Sequence, residues 1–536
     1  MQRTTDHLKV ILRDHRWPLL ISLFIALAAW WGNVRDTDIS SDQVNIATML
    51  LKEKQPELFS RDLGFADDSA FRFYTPLYRK LTAFLAGFTG GDFLRAPVVM
   101  TPFLLAAYLL GAYALFVWMT GHKAASLLAA VLSLFVRKAL IDTWGMGGMS
   151  SMLPRSVFLA FTPWLVLGIL CTRNRPFVAA GFFFAVGLLA NMHPVSAFGF
   201  AQIVLLTTLA SERFAWRALG RCVLWGAAAA LPTIGFAMLY WSSTNVAGAN
   251  AVTYSEIKDV MNERLGAFYP FQPSDVAKTL KSLTVPVALA GAGLWWRVRE
   301  RKFSDTDRWF VWFAVVTVVV SLGGTAVVQL ASEWTGTKPL IFDQVRTLRF
   351  IYLPLFVFVG FLLAKLWESA RSGNRIARFT LPVAALALCA YATLPLQKAV
   401  GRPLEARFSS AAANRDAEEL ALQELAEWAR AHTPQDAVID CESLLFRYLA
   451  RRSLTFCRKD GGILIYSGSE RLKEWLTRYR EWNQLPENDS AARESFARKH
   501  GADYLVLKAK QPALTFAPAF QNGYFRIYSL RPNPAQ

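Results

Sequence analysis

Asp36 and Asp38 stand one residue apart in the stretch Arg35-Asp-Thr-Asp-Ile-Ser-Ser-Asp42. On an extended backbone, residues i and i+2 point to the same side, so the pair can present two carboxylates to one ligand. That arrangement suits a general base or a hard-cation ligand. It equally suits a solvated acidic loop that only favours the start of a helix, and the motif alone does not separate the two. Cations form a second group. Arg346 and Arg349 precede an apolar run and are three apart, hence neighbours on one helix face; Arg137, Lys138 and Arg155 lie near the ends of others. Arginine pairs phosphate through planar, bidentate hydrogen bonds, so these residues are candidates for a phosphate or pyrophosphate site. Taken singly, each also reads as a side chain snorkelling from a helix end. His193, in Asn191-Met-His-Pro-Val195, can act as acid, base or ligand, or can simply cap a turn.

The elements around Asp36 and Asp38 are stiff. An apolar stretch, Trp17–Gly32, runs up to them. After them Ser40 stands as an N-cap, Gln43 at the capping-box position, and Ile39 with Val44 as a hydrophobic staple. The helix this predicts carries Val44, Ala47, Leu50 and Leu51 on one face, a surface suited to lying on a membrane. The carboxylates would then be held at a lipid–water boundary.

A 536-residue chain that is 54% hydrophobic, with mean hydropathy +0.27, is too apolar for an ordinary soluble protein. Apolar stretches close to bilayer length recur, and the expected fold is mostly α: a multi-pass transmembrane helical bundle of about eleven spans. They fall at Trp17–Gly32, Ala96–Met119, Ala124–Leu140, Val157–Cys171, Phe177–Asn191, Val195–Leu209, Cys222–Trp241, Leu283–Trp296, Trp309–Leu330, Phe350–Trp367 and Phe379–Leu396. No small-residue cleavage site follows Trp30-Trp31, so the first span reads as uncleaved. A net charge of +18 would point to nucleic acid in a soluble protein. Here much of the excess lies in alternate connections: Gly121–Lys123, Thr172–Arg175, Glu212–Arg221, Arg297–Arg308 and Glu368–Arg378. That pattern sets orientation and implies no nucleic-acid partner: the amino terminus is cytoplasmic in a bacterial-type inner membrane, and the remaining connections are exterior.

The exterior segments are where chemistry is expected. The first, residues 33–95, should hold the capped helix, a second acidic helix start at Asp67-Asp68 and an amphipathic helix from Pro76 to Phe88. The second, Asp142–Arg155, has glycines for close backbone approach, with methionines and Trp144 that suit a lipid groove or plain interfacial packing. Ser242–Ser282 is polar and reads as a flap; Ser332–Arg349 carries Lys338, Asp343 and the arginine pair. Composition changes after Leu396, dividing the chain into a membrane domain, 1–396, and an exterior soluble α/β domain, 397–536. In the latter, Asn414–His432 reads as an amphipathic helix. Ala437–Cys441, Ser453–Cys457, Ala502–Leu507 and Phe525–Leu530 read as strands, and Leu444–Ala450, Glu470–Arg480 and Ser490–His500 as helices. Cys441 and Cys457 fall at the ends of two such strands; a bridge would close a loop of about 16 residues, while the competing reading is two small buried hydrophobes. Cys171, Cys222 and Cys389 are not expected to pair.

A first span, a long exterior loop with Asp36 and Asp38 at its start, interfacial helices, many further spans and a closing exterior α/β domain together resemble the GT-C superfamily of integral-membrane glycosyltransferases. The resemblance covers the whole chain in layout; among motifs only the Asp-x-Asp of Asp36 and Asp38 matches. It implies a lipid-linked sugar donor on a polyprenyl phosphate, transfer to a cell-envelope acceptor on the exterior face, and membrane lipids as surroundings. Asp36 or Asp38 would be catalytic, while Arg155, His193, Arg346 and Arg349 would bind substrate. One branch of the superfamily positions a divalent metal; Asp142 is the only acid in the second exterior loop, so no cofactor is assigned. Two other classes stay open. A lipid or solute transporter or flippase would also be multi-pass, although such proteins place ionisable groups near mid-membrane and few lie there here. A non-enzymatic envelope protein with a partner-binding exterior domain fits the same layout.

Overall fold

The computed structural model describes residues 2–33, 41–68, 71–72, 74–136, 146, 152–235, 237–238, 252–265, 273–336, 344–372, 383, 410–465 and 469–531. Most of these are helical. The basic opening and first apolar stretch form one helix, α1 (Gln2–Asn33), with Pro18 inside it. Then come α2 (Ser41–Lys54), α3 (Pro76–Ala86), α4 (Arg95–Thr120), α5 (Lys123–Leu134), α6 (Pro154–Thr172), α7 (Pro176–Ala190), α8 (Pro194–Ser211) and α9 (Trp216–Ala230). They are followed by α10 (Tyr254–Leu265), α11 (Pro273–Arg299), α12 (Asp305–Thr335) and α13 (Gln344–Arg371). Several starts are written in the sequence. Proline occupies the first helical position of α3, α6, α7, α8 and α11, where its missing N–H costs nothing. Ser304 and Asp307 form a reciprocal capping box on α12.

Among the described residues five helices, α4, α6, α8, α12 and α13, are long and apolar enough to cross a membrane, and α5 and α7 are shorter apolar helices. They mark a membrane protein. The expected count of eleven spans is met only in part: α1, α9 and α11 cover three more of the expected positions, and Phe379–Leu396 lies outside the described residues apart from Val383. The most enclosed of the five is α13, packed against α11, α5 and α4. Gly293 lets α11 approach closely, since a Cβ there would fall 2.1 Å from the Phe358 carbonyl oxygen.

The first long connection differs from expectation. Residues Gln43 to Leu51 of α2 are buried without a break, polar ones included, and the helix packs against α3 and against a helix of the C-terminal unit. Val44, Ala47, Leu50 and Leu51 therefore face protein rather than a membrane surface. Gln43 meets the Tyr78 hydroxyl, and Ser40, its expected capping-box partner, lies outside the described residues. Among the described residues no helix begins at Asp67-Asp68, and residues 69, 70 and 73 lie outside them; Asp68 pairs with Arg72 at 2.8 Å, and Asp67 with Arg471 at 2.6 Å. The amphipathic helix from Pro76 is present as α3, continued by a short 3₁₀ turn, Gly87–Thr89, with Phe84 and Phe88 exposed in edge contact.

The C-terminal unit opens with α14 (Ser410–His432) and continues β1 (Val438–Asp440), α15 (Leu444–Ala450), β2 (Ser453–Leu454), α16 (Gly461–Leu464), α17 (Ser469–Gln484), α18 (Ser490–Lys499), β3 (Tyr504–Lys508), β4 (Phe520–Gln521) and β5 (Phe525–Ser529). Its five strands lie in the order β2-β1-β3-β5-β4. Strand β1 is parallel to β2 and β3, whereas β5 runs antiparallel to β3 and β4. Its helical layer shares one core with the rest of the chain, through Phe456, Leu464, Trp475 and Tyr479. Cys441 and Cys457 are buried free thiols. Strands β1 and β2 are neighbours, as a bridge requires, but both cysteines lie past the paired residues, so the small-hydrophobe reading holds.

Candidate functional site

Asp42, in the first turn of α2, is the centre of the site. Its Oδ1 lies 2.9 Å from Lys459 Nζ and its Oδ2 3.3 Å from Arg155 Nη1. Arg346 is close enough to act on it electrostatically. Burial alone would push the Asp42 carboxyl up; Lys459, Arg155 and Arg346 outweigh it and hold the group below the ordinary carboxylate range. The α2 N-terminus adds a favourable field. Three cations thus act on one carboxylate. The next residue, Gln43, is fixed by Tyr78, whose hydroxyl lies 2.6 Å from the Met152 carbonyl oxygen and 3.0 Å from Gln43 Oε1. A phenol has one proton, so it donates to Met152 and accepts from the Gln43 amide once that amide is turned. Tyr78 thereby ties α2 and α3 to the start of α6, where Arg155 sits.

Arg346 and Arg349 are delivered by an unusual stretch. The first turns of α13, Gln344–Ile351, are 3₁₀ over eight residues, longer than such helices usually run. With three residues per turn, positions 346 and 349 stack more closely than on an α-helix, and Arg349 Nε donates to the Arg346 carbonyl at 2.8 Å. Opposite lies a π-helical turn in α12, Val319–Gly323, whose Ser321 hydroxyl meets that of Thr347 at 2.7 Å. Thr347 Oγ1 also donates to the Gln344 carbonyl, and Gln344 Nε2 to Gln202 Oε1 on α8, both at 2.7 Å. Gly199 on α8 makes the fit possible: a Cβ there would fall 2.0 Å from Thr347 Cγ2.

Lys459 comes from the C-terminal unit, and a buried ion cluster puts it there. Arg447 on α15 donates from Nη1 and Nη2 to the two oxygens of Asp460, at 3.0 and 2.5 Å, and its Nε lies 3.0 Å from Asp62 Oδ2. Asp62 belongs to the first long connection and accepts backbone N–H groups from Gly64, Phe65 and Leu454 at 3.0, 3.2 and 2.9 Å. Both Asp62 and Arg447 are fully enclosed. The Phe65 ring lies 4.7 Å from the guanidinium. Asp460 follows Lys459 directly, so the grip on Asp460 also fixes the lysine. Arg61–Asp503 at 2.7 Å and Arg471–Asp67 at 2.6 Å reinforce the junction from its exposed rim.

Of the sequence-derived candidates, Arg155 and Arg346 are brought to one carboxylate, and Arg349 packs beside Arg346, buried. His193 is the N-cap of α8, its Nδ1 accepting from the Ser196 N–H at 3.2 Å. Asp36 and Asp38 lie outside the described residues, in the segment joining α1 to Asp42, as do Arg137, Lys138, Lys338, Asp142, Trp144 and Asp343. Sequence reasoning did not single out Asp42 or Lys459. The available signal was the charged triplet Arg458-Lys459-Asp460, out of place between apolar strand and helix. Among the described residues no group of three or more His, Cys, Asp or Glu could hold a metal ion. Beside Asp42 the neighbours are cations, a donor set that suits an anion instead.

Fold and site together define a membrane protein whose apolar helical bundle and C-terminal α/β unit jointly enclose a cation-rich cluster. No family model matches the chain, and no curated protein matches it significantly.

Proposed function

We propose that the chain is a membrane glycosyltransferase of the GT-C type, moving a sugar from a polyprenyl-phosphate-linked donor to an envelope acceptor on the exterior face of a bacterial-type inner membrane. What supports this reading is the convergence of Lys459, Arg155 and Arg346 on Asp42, directly after the segment that carries Asp36 and Asp38. In such a transfer the acceptor oxygen attacks the anomeric carbon, the bond from that carbon to the phosphate oxygen breaks, and the lipid phosphate leaves with an added negative charge. Cations placed at the donor phosphate stabilise that leaving group. The acceptor proton passes to a carboxylate. Asp42 is a poor base, because its cationic neighbours favour its ionised form. Its role is to space Lys459, Arg155 and Arg346 until the donor phosphate takes over part of their charge. Asp36 or Asp38, a few positions before Asp42 in the sequence, is the base, and Arg349, buried beside Arg346, holds that arginine through its carbonyl.

The experiment is transfer from a polyprenyl-phosphate sugar by the full-length protein in liposomes. Asp36→Asn or Asp38→Asn should lower kcat by roughly 10²–10⁴ without loss of expression. Full activity in both variants removes the base from this segment. Lys459→Ala should raise the donor KM and leave the acceptor KM unchanged; equal effects on both would remove it from the phosphate role.

A further inference from the structure

Two connections at one end of the helical bundle are rich in arginine, and neither belongs to the Asp42 site. The α6–α7 connection carries Arg173 and Arg175; the α8–α9 connection and the start of α9 carry Arg213, Arg217 and Arg221. The one acid among them is Glu212, and Arg221 pairs with it. Among the described residues no ion pair joins Arg173, Arg175, Arg213 or Arg217 to a carboxylate. We propose that the two connections form a seat for the headgroup of an anionic phospholipid. This does not depend on the transfer reading.

Position is the first argument. Arg221 Nη1 donates to the Arg173 carbonyl oxygen at 3.2 Å, and Trp225 Nε1, one turn further on, to the Pro176 carbonyl oxygen at 3.0 Å. The connections are thereby held side by side, with α7 packed along α9. Phe177 on α7 and Leu219 and Val223 on α9 are exposed close to the arginines in sequence, an apolar surface that suits acyl chains. A phosphodiester above such a surface is an anion, and guanidinium groups pair phosphate through planar, bidentate hydrogen bonds. Basic pockets between membrane helices hold anionic headgroups in this way.

The backbone is the second argument. At the end of α8 the Phe214 N–H donates to the Leu209 carbonyl at 2.8 Å and the Arg213 N–H to the Ala210 carbonyl at 3.1 Å. This helix-closing motif needs a left-handed residue at position 213, where glycine is usual. Here φ is 55° at Arg213 and 58° at Phe214, so two residues with a Cβ carry the strain in succession. The apolar residue after the left-handed one commonly packs back on its helix. Phe214 instead is 71% exposed, and Trp216 85%. The turn gives up local stability and leaves an arginine and two aromatic rings exposed, the composition of a membrane–water interface.

The test titrates the full-length, detergent-solubilised protein with phosphatidylglycerol and reads lipid adducts by native mass spectrometry. Phosphatidylcholine with the same chains is the neutral reference, and phosphatidylglycerol should bind roughly 10²-fold more tightly. Arg175→Gln/Arg217→Gln should weaken it about thirtyfold, at about fivefold per arginine. The unfolding temperature reports the fold of that variant, and the single Arg217→Gln serves if the pair destabilises. Lys302→Gln/Lys365→Gln removes the same charge from cations already paired with Glu300 and should change affinity by less than about twofold. Arg213→Gly separates the seat from the scaffold: it should raise the unfolding temperature by relieving strain, yet weaken phosphatidylglycerol about fivefold. Excess glycerol phosphate should not displace the lipid. The proposal is overturned by equal affinity for the two lipids, by unchanged affinity in the folded arginine variants, or by an equal loss in the lysine control. Displacement by glycerol phosphate would mean a site for a soluble phosphate, and a lower unfolding temperature in Arg213→Gly would place that arginine in the scaffold; either also overturns it.

Discussion

Replacing Arg447 with Met should loosen the C-terminal unit from the first long connection, and the size of the effect follows from what the guanidinium holds. Its three nitrogens all face carboxylate oxygens, of Asp460 at 3.0 and 2.5 Å and of Asp62 at 3.0 Å, in a fully enclosed site. Methionine fills similar volume but leaves two carboxylates facing each other without a counter-charge. Breaking a buried pair from one side costs about 3–5 kcal/mol. The lower end applies here, because burial already pushes the Asp62 carboxyl up and a proton can replace the lost cation. A cost near 3 kcal/mol raises the locally opened population by roughly 10²-fold. Hydrogen exchange of the Leu454 amide reads this directly, since that N–H donates to Asp62 at 2.9 Å across the junction. The triple variant Asp62→Asn/Arg447→Met/Asp460→Asn carries no stranded charge and should be better protected than Arg447→Met alone. Leu454 exchange within about tenfold of wild type, or a triple variant less protected than the single, would refute the reasoning.

Gly199→Ala should lower the unfolding temperature by an amount corresponding to about 1–3 kcal/mol of overpacking, because Thr347 is pinned by Ser321 and Gln344 and cannot turn away. Adding Thr347→Ser removes the clashing methyl and keeps the hydroxyl, so it should restore most of the loss; no rescue would mean the strain lies elsewhere. Asp42 has a folded-state pKa below its ordinary 3.8, so the stability it adds is complete above that value and is lost only as pH falls through the folded value. The stability gap between wild type and Asp42→Asn should therefore stay constant from about pH 7 to 5; narrowing within that window would contradict the ion cluster. Burial pushes the thiols of Cys441 and Cys457 up to about 12. Alkylation at neutral pH should spare both in the native protein and modify both after unfolding without reductant, and protection that persists in denaturant would reveal a bridge.

The C-terminal unit was legible almost throughout, and for a local reason. Strand and helix periods there are short and turn residues separate the elements, so β1, β2, β3 and β5 and the helices α15, α17 and α18 follow from pattern alone, while the four-residue α16 does not. Strand β4 escaped because Phe520–Gln521 is too short to show a period. The helix at Ser41–Lys54 was legible as a helix but not in its placement. One apolar stripe with polar neighbours suggests a membrane surface, yet Gln43, Asn45 and Thr48 are buried as well. A helix wrapped by other protein can enclose polar side chains that find partners, as Gln43 does in Tyr78, and that partner is 35 residues away.

The site shows the same division more sharply. Arg346 and Arg349 were legible as a pair because three-residue spacing makes neighbours on any tight helix. Their direction was not, since it depends on a π turn in α12 and a missing side chain at Gly199, each trivial when read locally. Asp42 and Lys459 are 417 positions apart by residue number, and nothing in either neighbourhood names the other. What joins them is the enclosed cluster of Asp62, Arg447 and Asp460, and enclosing charges is costly unless each is paired. Such a cluster adds little net stability compared with an apolar core, but it penalises every docking that leaves one charge alone. An apolar junction would tolerate sliding between the C-terminal unit and the helices. A three-membered ionic junction fixes one register, and in that register Lys459 meets Asp42.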